Sequence, residues 1–196
     1  VTVKHRIGID DLDSDALLTN FVDRVALAGA SRFAVHARKA WLEGLDPKQN
    51  RTIPALRHDR VHALKQRRPD LVIELNGGLE SPEDCLLALE GCDGAMVGRA
   101  AYSHPLRWTS VDALIFGEEE RQILASDVVD GLLPHAAAHL ERGGRLWDLC
   151  RHLVQLVEGV RGARHWRREL GEKAQRTGAD LSVLVHAGQQ LKDAGL

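Results

Sequence analysis

The sequence predicts an α/β fold followed by an all-helical segment. Strand-like and helix-like runs alternate through about the first hundred residues. The strand-like runs are short and nearly all apolar, as when helices cover a parallel sheet. From about Glu118 strand-like runs cease, and apolar residues recur every three or four positions, as in Leu146, Leu149, Leu153, Leu156 and Val157.

The elements follow in order. "VTVKHRIGI" is β-branched and alternating, hence a strand. In "DSDALLTNFVDRVALAG", Leu17, Leu18, Phe21, Val22 and Val25 share a helical stripe, Asp13 or Ser14 can cap it, and Gly29 ends it. "RFAVHAR" is the second strand; an irregular stretch from Lys39 to about His58 precedes the helix "DRVHALKQRR". "PDLVIELNGG" is a third strand closing on two glycines. "SPEDCLLALEG" is a short helix with Ser81 as cap, Pro82 in its first turn and Asp84 completing a capping box, and "DGAMVGRA" is a fourth strand. Four parallel strands are half of a (β/α)8 barrel or most of a small doubly wound sheet. Beyond Glu118, glycines at 143, 144, 162 and 178 punctuate about four helices of a small bundle. The expected domains are 1–117 and 118–196.

Composition narrows the function classes. The chain has 196 residues, 44% hydrophobic and 28% charged, with a net charge of −2. No global charge draws it to nucleic acid, so such binding needs a local patch. Cys85, Cys92 and Cys150 are odd in number and form no CxxC pair, so reduced thiols are expected, not disulfides or a metal site. No apolar run is long enough to span a bilayer and no signal peptide is legible, so no membrane partner and a cytoplasmic location are expected. The sequence starts within a strand, which leads to the expectation of a piece of a longer protein.

Parallel α/β folds carry function at the carboxyl ends of their strands. There stand Lys4, His5 and Arg6; His36, Arg38 and Lys39; Asn76, Gly77 and Gly78; and Gly98 with Arg99. Singly each is ordinary, since a strand lysine can snorkel and "NGG" is a common turn. Together they fit an anion: glycines admit close backbone approach, and Arg99 is a bidentate phosphate donor. Were these strands five to eight of a barrel, "NGG" and "GR" would fall where barrels hold phosphate. Lys4 and His36 would then face the mouth as donors to an anion-forming ring such as reduced flavin.

Two further stretches are basic. The loop "KAWLEGLDPKQNRTIPALRHD" carries Lys39, Lys48 and Arg51, and reads either as a functional loop or as a solvated one. "RGARHWRRELGEK" holds Arg161, Arg164, Arg167, Arg168 and Lys173 beside Trp166, a phosphate-backbone footprint or a solvated helix face.

"VTVKHRIGID", "FAVHARKAWLEGLDPKQNR", "IELNGG", "DGAMVGRAAY" and "GARHWRREL", in this order, resemble tRNA-dihydrouridine synthases of the A subfamily. The resemblance covers essentially the whole chain, and "HARKAWL" followed by "PKQNR" is its most specific part. It implies the second half, strands five to eight, of an FMN-binding TIM barrel followed by a C-terminal helical domain. It implies reduction of uridine to dihydrouridine at positions 20 and 20a of the tRNA D-loop, with NADPH as reductant. Matched by motif, Lys4 and His36 contact FMN near its ring, and Asn76, Gly77, Gly78, Gly98 and Arg99 hold its ribityl-phosphate. Arg38 faces the substrate uracil, and Lys39, Lys48, Arg51, Arg164 and Arg167 fall on the tRNA side.

One departure is large. The family's acid is a Cys in an "N-x-G-C-P" motif, and none of the three cysteines here matches it. No catalytic residue is therefore assigned to this chain, which reads as the C-terminal portion of the enzyme. Such a half barrel is expected to expose two strand edges and an apolar inner face, to pair with its missing half or with itself, and to be inactive alone. Two other readings stand beside this one: another FMN- or phosphate-binding barrel oxidoreductase, and a non-catalytic RNA-binding module.

Overall fold

The structure, a computed structural model, describes residues 1–160 and 162–196. They cluster into two compact units, Val1–Gly98 and Arg99–Leu196.

The first unit is built on a sheet of β1 (Thr2–Arg6), β2 (Arg32–His36), β3 (Val72–Asn76) and β4 (Gly94–Met96), all parallel and in the order of the chain. A doubly wound sheet reverses its strand order at a switch point; this one does not, which is the arrangement of consecutive strands in a barrel wall. Three helices cross over between the strands: α1 (Asp15–Leu27), α2 (His58–Arg67) and α3 (Pro82–Leu89). Ser14, not Asp13, caps α1, its Oγ accepting from Leu17 N–H at 3.2 Å. Asp15 in the first turn and Arg24 in the last suit the helix dipole. The Ser81–Asp84 capping box is present at α3, with Pro82 in its first turn.

Register sorts the side chains. Val3, Phe33 and Ile73 form one row and His5, Val35, Leu75 and Ala95 another. These rows turn toward the helices, where His5 stacks edge-on against Phe21 of α1 at 4.9 Å. Phe33, Val35, Ile73 and Leu75 are fully buried, with Leu18, Val22, Val61 and Leu64 of the helices. The alternate positions are Thr2, Lys4, Arg6, Arg32, Ala34, His36, Val72, Glu74, Asn76, Gly94 and Met96. The expectation of an apolar inner face is thus corrected: short runs that look uniformly apolar conceal a polar stripe on every second residue. Arg32 Nε donates to Glu74 Oε1 at 2.8 Å across this face. Gly94 lies beside Glu74 because a Cβ there would come within 2.9 Å of its Cγ.

The stretch between β2 and α2 is ordered by its own polar groups. Asn50 Oδ1 accepts from Trp41 N–H at 2.7 Å and its amide returns to Trp41 O at 2.6 Å. Asp46 accepts from Lys48 and Gln49 N–H at the start of a 3-10 turn, Gln49–Arg51. The base of the loop is tied by charge. Asp13 lies between Arg60 of α2 and Lys39, the latter 3.2 Å away, and Arg60 also donates to Asp15 at 2.6 Å. Burial raises the Asp13 pKa, but the hydrogen bonds from Arg60 and Lys39 outweigh it and hold the carboxyl below its usual range.

The second unit begins with the short helices α4 (Arg99–Ser103) and α5 (Val111–Phe116) and continues with α6 (Ala125–Glu141), α7 (Leu146–Leu153), α8 (Ala163–Lys173) and α9 (Leu181–Asp193). The last four are the helices expected beyond Glu118. Val129, Ala136, Leu146, Cys150, Trp166, Leu170, Leu184, Ala187 and Leu191 form their shared core. Asp127 and Asp148 cap α6 and α7 by accepting from Leu124 and Arg145 N–H, at 2.9 and 3.1 Å.

Two outcomes follow. Gly77, φ +103°, has no room for a side chain, since a Cβ would lie 2.6 Å from the His36 ring. Gly77→Ala is expected to cost about 2 kcal/mol, read as a lower urea midpoint at unchanged slope. Because the folded Asp13 pKa is depressed, its contribution is present above its unfolded value, about pH 4, and is lost as pH falls through the folded one. Asp13→Asn is expected to lower stability at pH 7 and to flatten the acid limb of the stability–pH curve relative to the parent chain.

Candidate functional site

The top of the polar face is a single row. Arg6, His36, Asn76 and Met96 are register partners at the carboxyl ends of the strands, and Lys4, Ala34, Glu74 and Gly94 form the row beneath. Lys4 and His36 therefore share the face, Lys4 exposed and His36 half-buried. His5 does not join them: alternation turns it to the helix side, where burial above all lowers its pKa and its Nδ1 meets Arg6 O at 2.9 Å.

After β3 the chain turns through Gly77 and Gly78, both at positive φ (+103° and +74°), a region open to glycine. Side chains here would run into His36 and Leu56. His58 Nε2 donates to Gly77 O at 2.8 Å, fixing the turn from α2. Among the described residues, no backbone carbonyl takes the N–H of Gly77 or Gly78 outside the sheet and helices. Asn76 uses its amide within the protein, donating to Met96 O at 2.6 Å and tying the ends of β3 and β4 together. A Cβ on Gly98 would meet nothing within 4 Å, so open space lies beside it. Arg99 follows as the first residue of α4, in the second unit.

These features fit the phosphate and ring of a flavin nucleotide in kind: a cationic amine, a restrained imidazole, uncommitted glycine amides and space beside a glycine. The fit concerns Lys4, His36, Gly77, Gly78 and Gly98; Asn76 serves it by bracing the turn.

Arg6, named at its strand end by the sequence but given no role there, joins them. Arg6 donates to Lys39 O and Asn50 O, each at 2.9 Å, and so holds the loop against the sheet. Burial, then the charges of Arg38 and Arg51, lower its pKa. Three guanidinium groups thus share one neighbourhood at the loop's base. Arg38 donates to Thr52 O at 3.2 Å and to Pro54 O. Alternation with Lys4 was the sequence signal for Arg6. Lys48 and Arg51 are exposed. Lys39 is engaged: its ammonium pairs with Asp13 and stands 4.1 Å over the Trp41 ring.

On α8, Arg164, Arg167 and Arg168 are exposed. Arg161, grouped with them by sequence, lies outside the described residues. The expectation of an aromatic beside this basic surface is corrected: Trp166 is 3% exposed and donates from Nε1 to Leu153 O at 2.9 Å. Glu169, the nearest carboxylate in sequence, is buried and paired with Lys173. The helix therefore turns its arginines outward and this acid inward.

All three cysteines are buried and free. Burial raises each thiol's pKa, to about 11 for Cys92 and Cys150. Among the described residues no cluster of His, Cys, Asp and Glu could hold a metal ion, and no helix is long and apolar enough to cross a membrane.

Comparison with known proteins places this geometry. The family model for dihydrouridine synthase (Dus) matches residues 1–193. The tRNA-dihydrouridine(20/20a) synthase of Shewanella oneidensis is 46% identical over 192 residues, 98% of this chain and 57% of the relative. The protein of the same name from Escherichia coli K12 is 44% identical over 194 residues, 98% of this chain and 56% of its own. That of Synechocystis sp. is 44% identical over 196 residues, 100% of this chain and 56% of the relative. The chain spans less than three fifths of the length of these relatives. With its family pattern running from the first strand into α9, the chain belongs to the dihydrouridine synthase family.

Proposed function

We propose that this chain is the C-terminal portion of a tRNA-dihydrouridine synthase, supplying one wall of an FMN pocket and a tRNA-binding surface. The observation that carries this reading is the row of Arg6, His36 and Asn76 above Lys4, beside a glycine turn with uncommitted amides. The four strands are strands five to eight of a (β/α)8 barrel, the barrel part runs to residue 117, and the helical domain occupies 118–196. The setting is the cytoplasm.

When bound, reduced FMN supplies a hydride to the uracil ring, and NADPH restores it. The chain's own residues bind and orient. Lys4 would offset negative charge on the flavin, and His36, which lies close against Gly77, would contact it near its ring. Gly77, Gly78 and Gly98 offer backbone to the ribityl-phosphate, Asn76 keeps the turn in register, and Arg99 supplies the charged fork. Arg38 faces the uracil. Lys48, Arg51, Arg164 and Arg167 meet tRNA phosphates, and Lys39 joins them on exchanging Asp13 for a phosphate. The proton donor is a Cys outside this chain: none of Cys85, Cys92 and Cys150 stands in an N-x-G-C-P motif, and all three are buried away from an external base.

Three measurements test this. In a full-length enzyme carrying this chain, FMN should bind more tightly than riboflavin, and Arg99→Ala should remove that preference; equal affinities in the parent would refute the phosphate site. The double variant Arg164→Ala, Arg167→Ala should weaken tRNA binding at all sequences and reduce the salt slope by roughly 2, about one per lost phosphate contact. The 196-residue chain with FMN, NADPH and unmodified tRNA should form no dihydrouridine. Turnover by the chain alone would refute the assignment of the acid elsewhere.

A further inference from the structure

We propose that Tyr102, His152 and Arg151 of the second unit form a platform for an unpaired nucleotide, a stacking contact separate from the arginines of α8. It rests on the tRNA reading above and names a contact that reading does not contain.

Tyr102 is the chain's single tyrosine and is 55% exposed. It is held without being buried. Its hydroxyl lies 2.8 Å from His152 Nδ1, and the two rings meet edge-on, 5.8 Å apart at 77°. His152 is fixed in turn by its neighbour, Arg151 Nε donating to His152 Nε2 at 3.1 Å. Leu146, Cys150 and Leu153 seat α7 in the core, so Arg151 and His152 stand on its outward side.

Hydrogen-bond chemistry sets the protons. A guanidinium only donates, so His152 Nε2 is a lone pair and the ring proton sits on Nδ1. That proton goes to the Tyr102 oxygen, which leaves the phenol's own hydrogen for an acceptor outside the protein. The unit therefore presents a ring of fixed tilt, an outward O–H donor and a guanidinium beside them. A π-face with a neighbouring cation accepts any nucleobase and its phosphate. Bases in a duplex have no free face to offer, so the ligand is an unpaired nucleotide, as in an RNA loop.

Labelling with 3-fluorotyrosine gives one 19F resonance, because the chain has one tyrosine. Unmodified tRNA and a single-stranded RNA oligonucleotide should shift it, and a blunt RNA duplex of equal length should not. Tyr102→Ala should weaken single-strand binding roughly ten-fold, and Tyr102→Phe should largely restore it, since the ring remains. Arg151→Ala should reduce the salt slope by roughly 1. tRNA binding with an unmoved resonance, or a Tyr102→Ala variant that binds like the parent, overturns the platform and leaves the tRNA reading standing. An equal shift with duplex overturns it as well. So does a shift that follows protein concentration alone, which marks a self-association surface. A shift with single strands but no tRNA binding keeps the platform and overturns the tRNA reading; no RNA binding of any kind overturns both.

Discussion

The unbroken parallel register of four strands is the constraint on which the first unit depends. Because Lys4, Ala34, Glu74 and Gly94 fall in one row, and Arg6, His36, Asn76 and Met96 in the next, every second residue faces away from the helices. A slip of one residue in β1 alone would send Lys4 among the helices and bring His5 out. The apolar rows that pin this register are fully buried at Phe33, Val35, Ile73 and Leu75. Burial on one face thus positions chemistry on the other.

Electrostatics complete what packing begins. Arg6 is kept near Arg38 and Arg51 despite like charge, because its guanidinium satisfies two loop carbonyls. Asp13 ties the base of the loop by engaging both Arg60 and Lys39. Cation–carbonyl and carboxylate–cation bonds together give an otherwise irregular stretch a defined shape. On α8 the acid Glu169 is turned inward to Lys173, and the arginines keep the water-facing side.

Much of this was legible in the sequence. β1 stood out by β-branched alternation and the other strands as short apolar runs alternating with helix-like ones, α3 by its Ser81–Asp84 pair, and the last four helices by their stripes. The segment 99–116 was not, because helices as short as α4 and α5 lack the two turns needed to display a stripe. Trp166 could have been placed: Ala163, Trp166 and Leu170 recur at helical spacing, and all three are buried. Arg6 was named at its strand end, and counting two from Lys4 would have put it on the same face. The Lys39–Asp13 pair could not, since nothing local joins a loop lysine to an aspartate 26 residues earlier, just before α1. The turn's need for glycine was visible in "NGG", but the reason, the His36 ring lying flush against Gly77, is tertiary.

The buried thiols have a consequence of a different kind. Cys85 and Cys92 lie in the first unit and Cys150 in the second. With Cys92 and Cys150 raised to about 11, almost none of either is thiolate at neutral pH. Alkylating reagents and peroxides must wait for each unit to open, so the three sulfurs act as separate clocks of breathing in the two halves of the molecule.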